Sequence, residues 1–329
     1  MPTKRYTRVV LNERPVRSIT PTTFRTDVVP FDFHPGEGDV LVQVNWLSLD
    51  PAMRGWISDL RSYIPPVPVG EVMRGHGIAT VAQVGSGTKL QTGDVVACWS
   101  GWTEYAILKE ETVEKLHIPP GAQLLDYLSI LSVTGGITAY FGLVDVAKIK
   151  AGETLVVSGA AGSVGSLACQ LGKIYGAKVI GIAGTDEKCK WLREELKVDA
   201  AINYRSPTFK QDFEDAILDL ALTRLKKGAR VTLCGTISQY NTPDTKGITF
   251  YTNLVLQRAK MEGYVVLDYK DRFPEAVREL SKFIAEGRLV SKFHILKGLE
   301  KASEGLPMLF DGSNTGKLVV QVSGPDAQL

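Results

Sequence analysis

Four cysteines in 329 residues, Cys98, Cys169, Cys189 and Cys234, are too few and too scattered for a disulfide framework, and no CxxC pair occurs. The default compartment is therefore a reducing cytosol, and the chain is expected to be cytoplasmic. Excess charge is also lacking. The 38 Lys and Arg nearly cancel the 36 Asp and Glu, leaving +2, so no nucleic acid or membrane partner is indicated. No apolar run reaches the roughly 20 residues of a membrane span. The opening MPTKRYTRVVLNERP lacks the apolar core of a signal peptide. Histidine is scarce, with His34, His76, His117 and His294 widely separated. A catalytic zinc needs about three Cys, His or carboxylate ligands. No cysteine is placed to join His76 in Gly75-His76-Gly77, so these histidines read as surface or packing residues and no metal is expected. Internal repeats and low-complexity tracts are absent.

What is present describes an ordinary globular protein, 44% hydrophobic and 22% charged, long enough for two domains. Residues 1–125 are rich in short strand signals. Val40–Leu47 alternates apolar and polar residues. Gly77–Val84, Asp94–Cys98 and Thr103–Leu108 follow, punctuated by turns at Gly85–Gly87 and Thr92–Asp94. This spacing predicts a compact barrel-like β domain. Leu49–Gly75 is long, aromatic and Pro-containing, and reads as a covering loop.

From about Tyr127 the pattern becomes strand–helix alternation, which predicts a doubly wound parallel sheet. Tyr127–Leu143 reads as helix interrupted at Thr134-Gly135-Gly136. Leu155–Gly165 (LVVSGAAGSVG) is a buried strand running into a small-residue turn and a helix over Ser166–Tyr175. Such a turn lets backbone N–H groups approach a diphosphate at a helix N-terminus, although its first motif position is Ala160 rather than Gly. Lys178–Ala183 and Ala200–Ile202 are further strands, with a helix over Asp186–Leu196 capped by Thr185. Ala229–Cys234 and Met261–Val266 are strands, Phe273–Glu286 is an amphipathic helix, and Gly316–Val322 alternates and returns to the β domain. One place breaks the pattern. A strand is needed before Ala229–Cys234, yet Phe209–Leu225 reads as continuous helix. Either the crossover is unusual or residues are absent between about Phe213 and Leu218, and the second is expected because losing a central strand opens the sheet.

The residue ending the second strand of such a sheet selects the nucleotide. Here Ala183-Gly184-Thr185 carries no carboxylate. Asp186 fits the first helical turn, where an acid suits the dipole. Lys188 suits that turn poorly and reads as a ligand for a 2′-phosphate, with Tyr204 and Arg205 able to approach the same group. NADP is expected over NAD. The alternative is that all three are solvated surface residues.

Five separated segments, LDPAMRGWISDLRSYIPPVPVGEVMRG, VVSGAAGSVGSLACQLGK, GTDEKCKWL, LCGTISQYN and GSNTGKLVV, together resemble the zinc-independent medium-chain dehydrogenase/reductase family. The branch is that of prostaglandin reductase (leukotriene B4 12-hydroxydehydrogenase), curcumin reductase and the alkenal double-bond reductases, and the likeness runs from about Asn12 to Val322. The resemblance implies an α/β fold, with a Rossmann-type doubly wound parallel sheet plus a GroES-like β-barrel domain. The barrel is expected over 1–125, completed by 295–329, and the Rossmann NADP-binding domain over 126–294. The implied activity is NADPH-dependent reduction of the carbon–carbon double bond of α,β-unsaturated ketones and aldehydes, by a protein that, like its relatives, is a homodimer. Family cofactor positions fall on Gly162, Ser163, Val164 and Gly165 for the diphosphate, and on Lys188 and Tyr204 for the 2′-phosphate. Cys234, Gly235, Ile237, Ser238 and Tyr240 match the nicotinamide-side segment, Tyr264, Val265 and Val266 a second wall, and Asn314 a late contact. The family also carries an Asn in an FDNVGG-like segment at the end of its fourth strand; none exists here, and its place coincides with the break at Phe213–Leu218. Tyr63 and Tyr269 match pocket tyrosines, and Trp99 and Trp102 an aromatic wall. For all four, ordinary packing is the alternative.

An enone is polarised by its own carbonyl and accepts hydride without a Lewis acid, so the charge to be stabilised is an enolate oxygen. Tyr63 or Tyr269, a cofactor ribose hydroxyl or a backbone N–H is expected to donate to it. A tyrosine stays a donor at neutral pH because its ordinary pKa is about 10. The α-carbon proton comes from solvent or Tyr269. A quinone reductase on the same plan, and a cofactor-binding protein without turnover, remain the alternatives.

Overall fold

Alternating apolar residues build the first third of the chain into antiparallel sheet. The computed structural model describes residues 4–59, 62–207, 217–242 and 247–324. Strand β1 (Arg5–Leu11) pairs with β2 (Phe24–Pro30) as a separate ribbon. Strand β3 (Asp39–Ser48) is the spine: its ten residues leave it for a single helical turn, α1 (Met53–Trp56). Strands β4 (Gly77–Val84), β5 (Val95–Cys98), β6 (Tyr105–Lys109) and β7 (Glu114–Lys115) follow. β3 pairs antiparallel with both β4 and β6, and its buried Val40 and Val42 face a core that β4 and β5 complete. The expected strands here agree within two residues; β1 and β2, whose pattern is broken by charges, went unpredicted.

The chain then coils through a short 3₁₀ turn at Leu124–Leu128 and a wide turn at Val133–Ile137, where Gly135 leaves helical geometry (φ −129°, ψ −106°). This is the interruption expected at Thr134–Gly136, and α2 (Thr138–Phe141) follows it. Strand β8 (Thr154–Val157), α3 (Ser163–Ile174), β9 (Lys178–Ala183), α4 (Asp186–Glu194) and β10 (Ala200–Asn203) make a parallel sheet in the order β10-β9-β8. Next come α5 (Ile217–Leu222), β11 (Arg230–Leu233), α6 (Thr252–Leu256) and β12 (Lys260–Gly263), with β11 and β12 parallel. Helix α7 (Phe273–Ala285) buries Ala276, Leu280, Phe283 and Ile284 against Leu167 and Leu171 of α3. Strand β13 (Phe293–Lys297), α8 (Lys301–Asp311) and β14 (Lys317–Gln321) return the chain to the first sheet, where β14 pairs with β13 and antiparallel with β3. The fold is α/β, Rossmann-type parallel strands with flanking helices joined to a β-barrel.

Two expectations need revision. Met261–Val266 shortens to β12, because Val266 already begins a 3₁₀ turn to Arg272. Of the helix expected over Phe209–Leu225, the structure shows Ile217–Leu222; residues 208–216, where the break at Phe213 falls, lie outside the described residues. Among the described residues no strand pairs with the second edge of β8 or of β11, so the parallel strands stand as two half-sheets. Val156 of β8 is 51% exposed, where helices on both faces would bury it.

Within the barrel, beside the wide turn at Thr134, β14 and the end of β3 are joined by a buried ion pair. Lys317 (2% exposed) lies 2.5 Å from Asp50 (3% exposed), and the same carboxylate accepts from the Ser48 hydroxyl. Removing one partner strands the other charge in the interior, a cost of about 3–5 kcal/mol, whereas replacing both with apolar residues costs far less. Lys317→Met is therefore expected to lower unfolding free energy by about 3–5 kcal/mol in urea titrations, and Lys317→Met with Asp50→Leu to recover most of it. Equal losses in the single and double variants would show that the pair is not the source.

Candidate functional site

The turn after β8 and the first turn of α3 form a cradle. Gly162 is extended (φ −86°, ψ 177°) and caps α3, so the N–H groups of Ser163, Val164 and Gly165 have no acceptor within the helix. Gly165 has no room for a side chain: a Cβ would lie 2.2 Å from the Gly159 carbonyl oxygen. Ala160 is fully buried and its N–H donates to the Ile182 carbonyl at 3.0 Å, so its methyl belongs to the core and leaves the cradle clear. The Ser163 hydroxyl is buried and has no hydrogen-bond partner. An orphaned hydroxyl beside free helical N–H groups is a site that fits an anion. Asn314 closes one side, buried, with Nδ2 donating to the Gly316 carbonyl at 3.1 Å.

At the end of β9 two cations converge. Lys188 Nζ donates to the Gly312 carbonyl at 2.5 Å and Arg205 Nη2 to the Asp311 carbonyl at 3.2 Å, with the Arg205 guanidinium over the Tyr204 ring. Burial lowers the Lys188 pKa, and the nearby Arg205 charge lowers it further. Asp186 is engaged elsewhere, accepting from Asn203 at 2.9 Å. Thr185 accepts the Lys188 N–H at 3.2 Å, which fixes Lys188 in the first turn of α4. Two cations held on neutral carbonyls fit a phosphate between them.

The ends of β11 and β12 carry the other half. A pocket of about 410 Å³ is lined by Cys234, Gly235, Thr236, Gly263, Tyr264, Val265 and Asp268 among others. Tyr240 folds over Gly235, where an added Cβ would lie 2.9 Å from its hydroxyl. The Tyr264 hydroxyl donates to the Thr138 carbonyl at 2.7 Å, and burial holds its pKa far above the ordinary value. Ile237, 42% exposed, and Ser238 sit in the turn before Tyr240, whereas Val266 packs into the helical core rather than lining the pocket.

The four aromatics expected to recognise a substrate separate. Tyr63 is exposed, lies within electrostatic reach of Tyr240, Cys234 and Asp50, and has its pKa raised by partial burial and then by Tyr240. Trp99, half exposed, stands beside Trp56 (5.9 Å) and His76 (5.2 Å). Trp102 does not join it: it is fully buried and packs on Phe24 at 4.9 Å, because β1 and β2 cover that face of the barrel. Tyr269 stacks on Phe141 at 4.6 Å and meets Tyr264 edge-on, and no described contact brings it to Tyr63. His76 is neutral, its pKa lowered to about 4 mainly by burial, with Asp50 and Lys317 its charged neighbours. Among the described residues no three or more His, Cys, Asp and Glu converge on a metal position. Sequence reading missed the Asp311 and Gly312 carbonyls, Asp268, and the Asp50–Lys317 pair. The last joins residues 267 positions apart and leaves no local signal.

Residues 7–116 match the family described as N-terminal domain of oxidoreductase. The chain is 35% identical to the NADPH-dependent curcumin reductase of Escherichia coli, covering 98% of this chain and 99% of that one. It is 37% identical to the NADP-dependent 2-alkenal reductase of Nicotiana tabacum over 88% of each. Among solved structures, CurA of Vibrio vulnificus in complex with NADPH superposes with a TM-score of 0.88 at 34% identity, over 97% of this chain and all of that one. The E. coli alignment runs over 348 positions, more than the 329 residues present here, so that relative carries residues this chain lacks.

Lys188→Ala is expected to weaken NADPH binding by about 10- to 100-fold and to leave NADH binding unchanged, as read by fluorescence titration. Parallel losses for both nucleotides would remove the phosphate assignment. His76 makes a second test. Its folded-state value lies below the ordinary 6.5, so between 6.5 and about 4 the unfolded chain binds a proton that the folded chain refuses. Stability must fall as pH drops through that window. His76→Gln is expected to flatten the fall in urea midpoint between those limits.

Proposed function

The chain belongs to the zinc-independent medium-chain reductases, in the branch of curcumin, alkenal and prostaglandin reductases, and we propose that it reduces the carbon–carbon double bond of α,β-unsaturated ketones and aldehydes with NADPH. The observation that carries this reading is the pair of halves: an anion cradle with two converging cations on one side, and an open pocket lined by Cys234, Gly235, Tyr264 and Val265 on the other. When bound, NADPH supplies the hydride that goes to the β-carbon; a proton reaches the α-carbon, and NADP⁺ is released.

This chain's residues divide the remaining work. Gly162–Gly165 and the Ser163 hydroxyl hold the diphosphate, and Lys188, Tyr204 and Arg205 hold the 2′-phosphate. Cys234–Tyr240, with Tyr264 and Val265, form the walls at the nicotinamide end, and Asn314 closes the cradle. The barrel, residues 1–125 with 295–329, faces the substrate, and residues 126–294 face the nucleotide. Tyr63, near Tyr240 and Cys234, is placed to donate to the enolate oxygen. Its raised pKa keeps the phenol protonated, which is what a donor to an oxyanion needs. Tyr269 is a packing residue behind Tyr264 in this arrangement, and the α-carbon proton comes from solvent. That β8 and β11 share no ladder among the described residues favours one second reading, a NADPH-binding protein without turnover.

NADPH oxidation against enals, enones, quinones and simple aldehydes separates these. Enone and enal turnover, slower with NADH, is the expected result; binding of NADPH with no turnover of any acceptor would establish the second reading. Tyr63→Phe is expected to lower kcat/KM for enones by about 10- to 100-fold with NADPH affinity unchanged. Wild-type turnover in that variant would take Tyr63 out of the reaction.

A further inference from the structure

A dinucleotide site needs its two ends at a fixed separation, and among the described residues no ladder supplies it. The cradle stands at the end of β8, the Cys234–Tyr240 segment at the end of β11, and among the described residues these strands belong to different sheets. They are tied at their starts, where Arg230 of β11 pairs with Glu153, next to β8, and donates to the Ala147 carbonyl. Their far ends, where the ligand lies, need another tie. On the β12 side the Tyr264–Thr138 hydrogen bond serves. For the segment after β11 the connection runs through the barrel.

The turn Asp50–Trp56 carries that connection. At one end, Asp50 is bound to Lys317, whose neighbour Gly316 pairs with the cradle: the Gly316 N–H donates to the Ala161 carbonyl at 2.8 Å, and Gly316 bridges to Gly162. At the other end stands Arg54, 5% exposed. Its Nε donates to the Asn241 side-chain oxygen at 3.0 Å, and its Nη2 to the Pro15 and Arg17 carbonyls at 3.2 and 2.8 Å. All three acceptors are neutral, and burial lowers the pKa of this guanidinium. A cation buried on neutral acceptors is costly, and a planar fork of five donors gains most where several acceptors must be held in one geometry.

We propose that Arg54 is a positioning residue for the nucleotide: from a turn pinned to the cradle by Lys317 and Asp50, it holds Asn241 and so sets the distance of the Cys234–Tyr240 wall from the cradle. This rests on the reading of those two segments as the ends of a NADPH site, and not on the identity of the acceptor. Arg54 touches neither cradle nor wall directly; it acts through Asn241.

The test uses the full-length protein and the variants Arg54→Leu, Arg54→Lys, Asn241→Leu and Asn241→Asp. Asn241→Leu removes the link while leaving Arg54 its two carbonyl contacts, so it decides the matter even if Arg54→Leu fails to fold. Four quantities are read: affinity for 2′,5′-ADP, affinity for NADPH, the emission of bound NADPH, and kcat with an enone. In Asn241→Leu, affinity for 2′,5′-ADP is expected to stay at the wild-type value. The nicotinamide emission should move towards that of free NADPH, and kcat should fall by about 10- to 100-fold with little change in KM. Asn241→Asp, which keeps an acceptor for Arg54, is expected to retain wild-type emission, and Arg54→Lys to fall between. Wild-type emission and kcat in Asn241→Leu would overturn the proposal, as would a matching loss of 2′,5′-ADP affinity, which marks general disruption. If the wild-type protein binds NADPH but reduces no enone, the proposed reaction fails while the emission comparison still decides the role of Arg54.

Discussion

Lys317 brings an ammonium group into an interior where 2% of its surface meets water, and a single carboxylate, Asp50, meets it there. Desolvating two such groups costs several kcal/mol each, and their attraction repays it only with good geometry and further hydrogen bonds. The Ser48 hydroxyl supplies one to Asp50, and Thr134 lies 3.5 Å from the amine. These partners come from β3, from the wide turn that opens the parallel half, and from the strand that closes the barrel. A well-packed apolar trio would hold the same elements at less cost. What the ion pair adds is direction: it is satisfied in one arrangement of three segments and unsatisfied in its neighbours. The cradle at Gly162 and the turn at Asp50 inherit their relation from it, through Gly316. That glycine has φ +73°, and a Cβ would lie 2.1 Å from the Lys292 carbonyl oxygen.

The same contrast between local and distant causes explains what could be read in advance. β3 and α7 follow from periods of 2 and 3.6, β9 from a short apolar run, and the cap at Thr185 from one hydroxyl. The shape of the cradle was legible for that reason, and so was the place of Lys188 in the first turn of α4, where the helix dipole disfavours a cation. The groups that its amine and Arg205 donate to were less so. Asp311 and Gly312 contribute backbone carbonyls, which carry no residue signature, from the far end of α8. Trp102 shows the converse. Trp99 and Trp102 look equivalent in CWSGW, but one faces Trp56 and His76 while the other is sealed under β1 and β2, strands whose Arg5, Arg8, Arg25 and Asp27 hid their pattern.

The polar atoms left without partners point the same way as the family does. Buried hydroxyls and paired cations are expensive unless something completes them. Ser163 lacks an acceptor or donor, while Lys188 and Arg205 rest on carbonyls that offset only part of their charge. Both deficits are met by one ligand with phosphate at two points. The intervening surface, from Gly162 to Gly312, is built on β8 and β9, which are mutually paired, and on the turn before β14, which bridges to the cradle at Gly162. The adenine-side half of the site thus stands on continuous sheet.

The nicotinamide-side half does not, and this is where architecture and chemistry meet. Hydride transfer depends steeply on separation and angle, so a wall displaced by about 1 Å has a large effect on rate and a small one on binding. Strands β11 and β12 share a ladder with each other, and Arg230 ties the start of β11 to the start of β8. A tie at the starts leaves the ends free to splay, and the ends carry Cys234 and Tyr264. Each of those ends is caught by a different hydrogen bond, Tyr264 to Thr138 and Asn241 to Arg54, reaching into different parts of the molecule. Two half-sheets that share no ladder among the described residues can therefore still present two walls, provided these contacts hold. On the proposed role of Arg54, affinity for the nucleotide rests on the cradle and the Lys188–Arg205 pair, while the rate depends also on a contact, Arg54 to Asn241, that touches no ligand.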